Sequence, residues 1–175
     1  MCRAESVEAF IALGSNLGDS RCILSAAFER LAALSARPLR RSSLWHSTPV
    51  DCPPGSPDFL NAAVALVPLP GETPETLLSK LQALEREFGR RPKTVLNEAR
   101  PLDLDLICFG GEVRATAWLT LPHPRAHRRG FVLAPLAELA PALKLPGQER
   151  TVAELFAALP GSEHPVRLPE ARSAA

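Results

Sequence analysis

Leu102-Asp103-Leu104-Asp105-Leu106-Ile107-Cys108-Phe109 alternates apolar and polar side chains over its first five positions and stops at Gly110-Gly111. A period of two belongs to a strand with one dry and one wet face, and the paired glycines suit a hairpin turn. Upstream of it lies a basic, poorly periodic loop from Arg90 to Arg100. Before that loop, Thr73-Pro74 opens a helix whose Leu77, Leu78, Leu81, Leu84 and Phe88 share a face until Gly89 ends it. Phe59 to Val67 reads as another extended apolar run.

Further outward, the run Pro53-Pro54-Gly55-Ser56-Pro57 cannot continue a strand, because proline lacks the ladder donor and fixes φ. It separates Phe59 to Val67 from an alternating stretch around Leu39 to Trp45. Asp19 or Ser20 can cap a helix in which Ile23, Leu24, Ala27, Phe28, Leu31 and Leu34 recur at helical spacing until Pro38. Val7 to Leu13 is a buried strand ending at Gly14. The order βαββαβ predicts an α+β, ferredoxin-like fold: an antiparallel sheet with helices on one face, then a hairpin strand near Trp118 to Leu121 and short C-terminal helices. A single domain over 1–160 is expected. The remainder, 161–175, is polar, contains proline and ends in small residues, and is expected to be a flexible tail.

The 175 residues are 46% hydrophobic and 22% charged, which fits one folded domain with a core of its own. A net charge of +1 gives no global attraction to nucleic acid or to an anionic membrane, so a polyanion would need a local basic cluster. Cys2, Cys22, Cys52 and Cys108 form no CxxC or Cys/His pattern, which points to reduced thiols in a cytoplasm. The N-terminal stretch lacks a signal peptide's apolar segment, and no run approaches the roughly 18 apolar residues of a membrane helix. Neither secretion nor membrane spanning is expected.

Asp103 and Asp105 project from one strand face and repel unless cations, a shared proton or solvent intervene. Mg²⁺ with bound phosphates is one solution, and a strand with a merely wet face is the plainer one. Arg90, Arg91, Lys93 and Arg100 precede the pair, and His123, Arg125, His127, Arg128 and Arg129 follow it. Carboxylates that hold metal, flanked by guanidiniums that neutralise phosphate, would suit phosphoryl transfer. Any single one of these arginines can be a solvated surface charge, which is the plainer reading for Arg91, Arg125 and Arg128 taken one by one. Gly14-Ser15-Asn16-Leu17-Gly18-Asp19 lacks the GK[ST] ending of a Walker loop, and its glycines are explained by a tight strand-to-helix turn. Asn61, in an apolar strand, must find hydrogen bonds and offers both donors and an acceptor to a flat heterocycle. Thr48 at a loop mouth and Phe131 after the basic turn could complete a pocket for a ring, although core and turn roles explain each alone.

Together, IALGSNLGD, STPV, PDFLNAAVAL, RPLDLDLICFGG and LPHPRAHRRGFVLAPLAELAP resemble the 6-hydroxymethyl-7,8-dihydropterin pyrophosphokinase family, in its order and with similar spacing. The resemblance implies a ferredoxin-like enzyme of folate biosynthesis that moves pyrophosphate from ATP to the pterin hydroxymethyl group. By the same resemblance, Asp103 and Asp105 bind two Mg²⁺ ions, and Arg90, Arg100, His123 and Arg129 hold phosphates. Gln82, Glu85 and Leu106 match positions near the nucleoside, while Gly14, Thr48, Phe59, Asn61 and Phe131 match the pterin pocket. Partners are then the two small substrates, with no nucleic acid or membrane, and a monomer is compatible with this reading.

The chain departs from the family's best-known form in the catalytic loop, where Leu96-Asn97-Glu98-Ala99-Arg100 replaces an Arg-Trp pair ahead of Gly-Pro-Arg. Pro92 stands where another Arg is usual and Pro124 where an aromatic is usual, which leaves Arg91 and Lys93 to compensate. The segments Arg90 to Arg100 and Asp51 to Pro57 are the candidates for closing over substrate. An RNA-binding module shares the βαββαβ order, but aromatics are 5% of residues and Tyr is absent. A nucleotidyltransferase or cyclase would keep the Asp pair without needing Asn61 and Phe131. A scaffold that had lost activity would not need Asp103, Asp105, His123 and Arg129.

Overall fold

The computed structural model describes residues 7–91 and 97–169. The central strand, β1 (Ala9–Ser15), is apolar on both faces and pairs antiparallel with β4 (Phe59–Leu66) on one side and β5 (Asp103–Phe109) on the other. Helix α1 (Ser20–Ala32) and helix α2 (Pro74–Glu87) cover one face. There Ile11, Leu13, Val64, Leu66, Leu104 and Leu106 meet Leu24, Phe28 and Leu31 of α1 and Leu77 and Leu81 of α2. Each fully buried leucine contributes on the order of 1.5–3 kcal/mol. Asp19 caps α1 by accepting from the Cys22 N–H at 3.1 Å, and Thr73 caps α2 in a reciprocal pair with Thr76.

α1 ends at Ala32, earlier than its leucine spacing predicts, because Ala36 donates to the Val67 carbonyl and Ser35 bonds both backbone groups of Val67. The stretch read as one strand from Leu39 to Trp45 is two: β2 (Arg40–Arg41) and β3 (Trp45–Ser47), both paired to β4. Between them Ser42 supplies its own hydroxyl, not its carbonyl, to the Ala63 N–H at 2.9 Å, and the strand steps out by one residue.

The second sheet face is covered as well. Beyond a small hairpin, β6 (Arg114–Ala115) with β7 (Thr120–Leu121), come α3 (Gly130–Leu139) and α4 (Val152–Ala157). Val132, Leu133, Leu136 and Val152 pack on Phe10, Ala12, Ala63, Ala65 and Ile107. Helices therefore lie on both faces: the two core helices share one, as the element order predicts, and the C-terminal helices form a third layer. The small side chains Ala12, Ala63 and Ala65 let α3 approach closely.

Residues 161–169 are a correction to the expected free tail. A short strand, β8 (Val166–Arg167), pairs with β3 at the sheet edge, and the Glu163 carbonyl occupies the place where a side chain on Gly130 would stand. The last six residues of the expected tail lie outside the described range. The sheet order β5-β1-β4-β3-β8 keeps the ferredoxin-like arrangement and adds one edge strand.

Candidate active site

Strand register builds the site. Gly14 of β1 pairs with Asn61 of β4 and with Asp103 of β5, and Ala12 pairs with Asp105, so these side chains share the α3 face of the sheet. Leu104 and Leu106 point the other way into the core. A cavity opens on this face, and the first turn of α3 contributes Phe131 to its lining. Its lining includes Gly14, Thr48, Phe59, Asn61, Arg100, Asp103, Asp105, Arg129 and Phe131, all singled out by sequence. A side chain on Gly14 would touch Asn61 Oδ1 at 3.5 Å and Phe59 Cδ1 at 3.6 Å, so the glycine is the cavity floor.

Asn61 is buried, and its amide donates to Ser47 Oγ at 2.8 Å and to the Trp45 carbonyl at 3.4 Å. Those two acceptors fix the amide's orientation, which turns Oδ1 toward Gly14 as an acceptor. Phe131 lies at the opposite wall with the Arg129 guanidinium 5.4 Å from its ring centre.

Asp103 is gripped from both sides: Arg90 Nη1 donates to Oδ1 at 2.9 Å and Arg100 Nη2 to Oδ2 at 2.9 Å. Arg90 also contacts Glu85, whose buried carboxylate accepts the Leu104 N–H at 2.8 Å and so ties α2 to β5. Burial pushes the Glu85 carboxyl up to about 7, against the lowering pull of the Leu104 N–H and the Arg90 charge. Burial first, then the neighbouring Asp103 charge, raises Asp105 to about 6. The pair thus sits in a place that favours an added cation.

Two hard carboxylates on one face, one of them raised by desolvation, fit Mg²⁺, which binds through one or two carboxylates and takes its other ligands from phosphate and water. Among the described residues no cluster of three or more His, Cys, Asp or Glu side chains forms a complete metal cage. A cation held there would take its remaining ligands from outside the protein.

A second, open groove runs between α2 and β5, lined by Gln82, Glu85, Arg86, Arg90, Arg91 and Asp105. Asp105 belongs to both hollows, so they meet at the carboxylates. The Leu106 side chain does not join the groove; it is 4% exposed and packs in the core, because alternation turns it away from Asp105. His123 lines neither hollow. A β-bulge at Ile107 frees that residue's carbonyl, which accepts the His123 N–H at 2.8 Å and hangs the His123 turn beside β5. Burial, with the charges of Arg129 and Arg125, depresses the imidazole to about 4, and its Nδ1 accepts the Arg125 N–H at 3.3 Å.

Several residues that line or support the site were not read from the sequence. Ser47 orients Asn61; Asn16 bonds Arg100 and Pro57; Asn97 donates to the Asp51 carbonyl at 2.7 Å. Asp51 and Asn97 both adopt left-handed backbone, which Asp and Asn tolerate. Pro92, Lys93 and Leu96 lie outside the described residues. Gly14 to Asp19 is a strand end and helix cap, with Gly18 at φ +81°, which accounts for the motif without a phosphate.

Residues 10–141 match the family model for 7,8-dihydro-6-hydroxymethylpterin-pyrophosphokinase (HPPK). Curated relatives include the 2-amino-4-hydroxy-6-hydroxymethyldihydropteridine pyrophosphokinases of Pseudomonas aeruginosa, 41% identical over 86% of this chain and 91% of the relative, and of Synechocystis, 38% identical over 85% and 74%. Among solved structures, an HPPK-DHPS in complex with substrates superposes with a TM-score of 0.70 at 12% identity, covering 87% of this chain. Wild-type Plasmodium falciparum HPPK-DHPS with SDX-DHP superposes at 0.69 and 12%. This chain spans under half of those two, 43% and 44%, and the likeness to them is one of fold. The relatives' identity over most of both chains and the match of the family model establish that the chain belongs to the HPPK family.

Proposed function

We propose that the cavity around Gly14 and the groove beside α2 together transfer a pyrophosphoryl group from ATP to the hydroxymethyl group of 6-hydroxymethyl-7,8-dihydropterin. The chain is a pyrophosphokinase of the folate pathway, and its products are AMP and the pterin diphosphate. The observation that carries the site assignment is the placement of Asn61 and Asp103 on either side of one floor residue. A ring-edge reader and a phosphate-side carboxylate then share a cavity.

In this reading Asn61 Oδ1 accepts from the ring edge, held in that orientation by Ser47, while Phe131 covers one ring face. The hydroxymethyl oxygen points along the floor toward Asp103 and Asp105. It attacks the β-phosphorus as the bond from that phosphorus to the α,β-bridging oxygen breaks; AMP leaves with the electron pair, and the hydroxyl proton passes to water. Arg90 and Arg100 neutralise charge on the phosphates, Arg129 contributes donors from the cavity side, and neutral His123, on its turn beside β5, meets the phosphates where they extend past the two hollows. Gln82 and Glu85 border the groove on the nucleoside side. Two Mg²⁺ ions held by Asp103 and Asp105 would supply charge neutralisation on the phosphates and lower the hydroxyl's proton affinity. In-line positioning and charge neutralisation suffice for this transfer, so no protein nucleophile is invoked.

Cys22, Cys52 and Cys108 are unpaired, which suits a cytoplasmic setting, and no described helix is long and apolar enough to cross a membrane. One chain supplies every group used here, so a monomer suffices. The test is product analysis of the purified protein with ATP, Mg²⁺ and the pterin. AMP and pterin diphosphate should accumulate one to one and cease on chelation; ADP in place of AMP would refute the reading.

A further inference from the structure

We propose that Asn16 is a positioning residue that sets Arg100 in place and couples it to the proline-rich segment that leads into Phe59 of the ring cavity. Asn16 follows β1 directly and is 4% exposed. Its Oδ1 accepts the Arg100 N–H at 2.9 Å and its own N–H donates to the Arg100 carbonyl at 3.2 Å, so both backbone groups of Arg100 are fixed to one residue. Its Nδ2 donates to the Pro57 carbonyl at 3.2 Å. One carboxamide therefore joins two segments far apart in sequence, and each leads to a different substrate. Arg100 reaches Asp103, and Pro57 precedes Phe59 of the cavity floor.

A buried, satisfied Asn in a turn would account for the bonds by themselves. The identity of the partners argues for more. Arg100 sits on a segment outside regular structure, and a long side chain on such backbone is aimed only as well as the backbone is held. Its Nε is buried without a hydrogen-bond partner among the described residues, so the guanidinium keeps a donor in reserve that a phosphate oxygen would satisfy. A displacement of about 1 Å at such a group costs about a hundredfold in rate. Asn16 thus acts through Arg100 and does not touch substrate.

The proposal rests on the phosphate role given to Arg100, and a double-mutant cycle on the full chain separates the two. The parent, Asn16→Ala, Arg100→Ala and the double variant are compared for kcat and for both KM values by AMP release, with melting curves to establish folding. Asn16→Ala should lower kcat at least about tenfold and raise the pterin KM, whereas in the Arg100→Ala background it should lower kcat no more than about twofold further. Equal losses in both backgrounds would overturn the proposal, because Asn16 would not then act through Arg100. Parental kcat in Arg100→Ala would overturn it differently, by removing the phosphate role on which it rests.

Should Asn16→Ala fail to fold, Asn16→Asp carries the test, since it keeps an acceptor for the Arg100 N–H and loses the donor to Pro57. The pterin KM should then rise at least about fivefold while kcat falls less than about threefold. An unchanged pterin KM, or a kcat loss exceeding the rise in KM, would overturn the proposal.

Discussion

Asn61 and Asp103 stand on opposite sides of Gly14, each its register partner on a neighbouring strand. Two strand spacings, about 9.5 Å, therefore separate the backbone positions of the proposed ring-edge reader and the proposed phosphate-side carboxylate. That span is comparable to the long dimension of a bicyclic ring carrying a hydroxymethyl group. The sheet fixes that span, while Arg90 and Arg100 reach Asp103 from backbone outside the strands.

The floor must stay bare for the ring to lie on it. A methyl group at Gly14 would meet its neighbours at ordinary contact distances, 3.5 Å and beyond, so Gly14→Ala should fold with little change in melting temperature. It should raise the pterin KM about tenfold, roughly 1.4 kcal/mol, and leave the ATP KM near the parent's. A parental pterin KM would place the ring elsewhere.

Asp105 belongs to both hollows, and burying its charge costs the metal-free protein stability. Asp105→Ala should therefore leave the fold intact while lowering kcat about a thousandfold or more. Turnover unchanged at saturating Mg²⁺ would remove the metal-ligand role.

His123 makes acid stability a readout of its burial. Its native value near 4 lies below the roughly 6.5 of the unfolded chain, so between those pH values the unfolded chain binds a proton that the native protein refuses. Stability from this source falls as pH drops from about 6.5 to about 4, by at most about 3 kcal/mol, and is unaffected above that window. His123→Gln, neutral throughout, should gain on the parent as pH is lowered in melting experiments from pH 7.5 to 4.5. A constant gap across that range would show the imidazole to be solvated.

The cavity's outer wall is tied by the Asn97 side chain to the Asp51 carbonyl. Asn97→Ala breaks that bond without altering any group placed against the phosphates. It should raise the pterin KM about three- to tenfold, about 1 kcal/mol for one hydrogen bond, with kcat changed less. A loss confined to kcat would contradict this role for the wall.

Much of this was legible from side-chain periodicity. Alternation at Asp103 to Leu106 separates site from core, and helical spacing in α1 and α2 predicts the face they cover. The third layer was less legible, because Gly130 to Leu139 is apolar except for Glu138 and gives no clear stripe to orient it. Phe10 and Ala12, apolar on the outward face of β1, carried that information. Ser42 looked like an ordinary strand residue, and only its hydroxyl's bond to Ala63 reveals the break between β2 and β3. Asn16 was hidden for a related reason: its partners Arg100 and Pro57 are distant in sequence, and no local pattern announces them. The residues that the family resemblance matched to a ring pocket line one cavity, whereas Ser47, adjacent to Thr48, emerged only from its bond to Asn61.

The central claim, that one cavity brings the ring and the metal-bearing carboxylates together, is tested most directly by paramagnetic relaxation. The protein would bind Mn²⁺ in place of Mg²⁺, a non-hydrolysable ATP analogue and the pterin, and broadening of the pterin protons would be recorded. The account predicts that the hydroxymethyl protons broaden most strongly, more than the ring protons behind them, and that Asp105→Ala removes the effect. Uniform broadening, or none, in a folded complex that binds both ligands would contradict it.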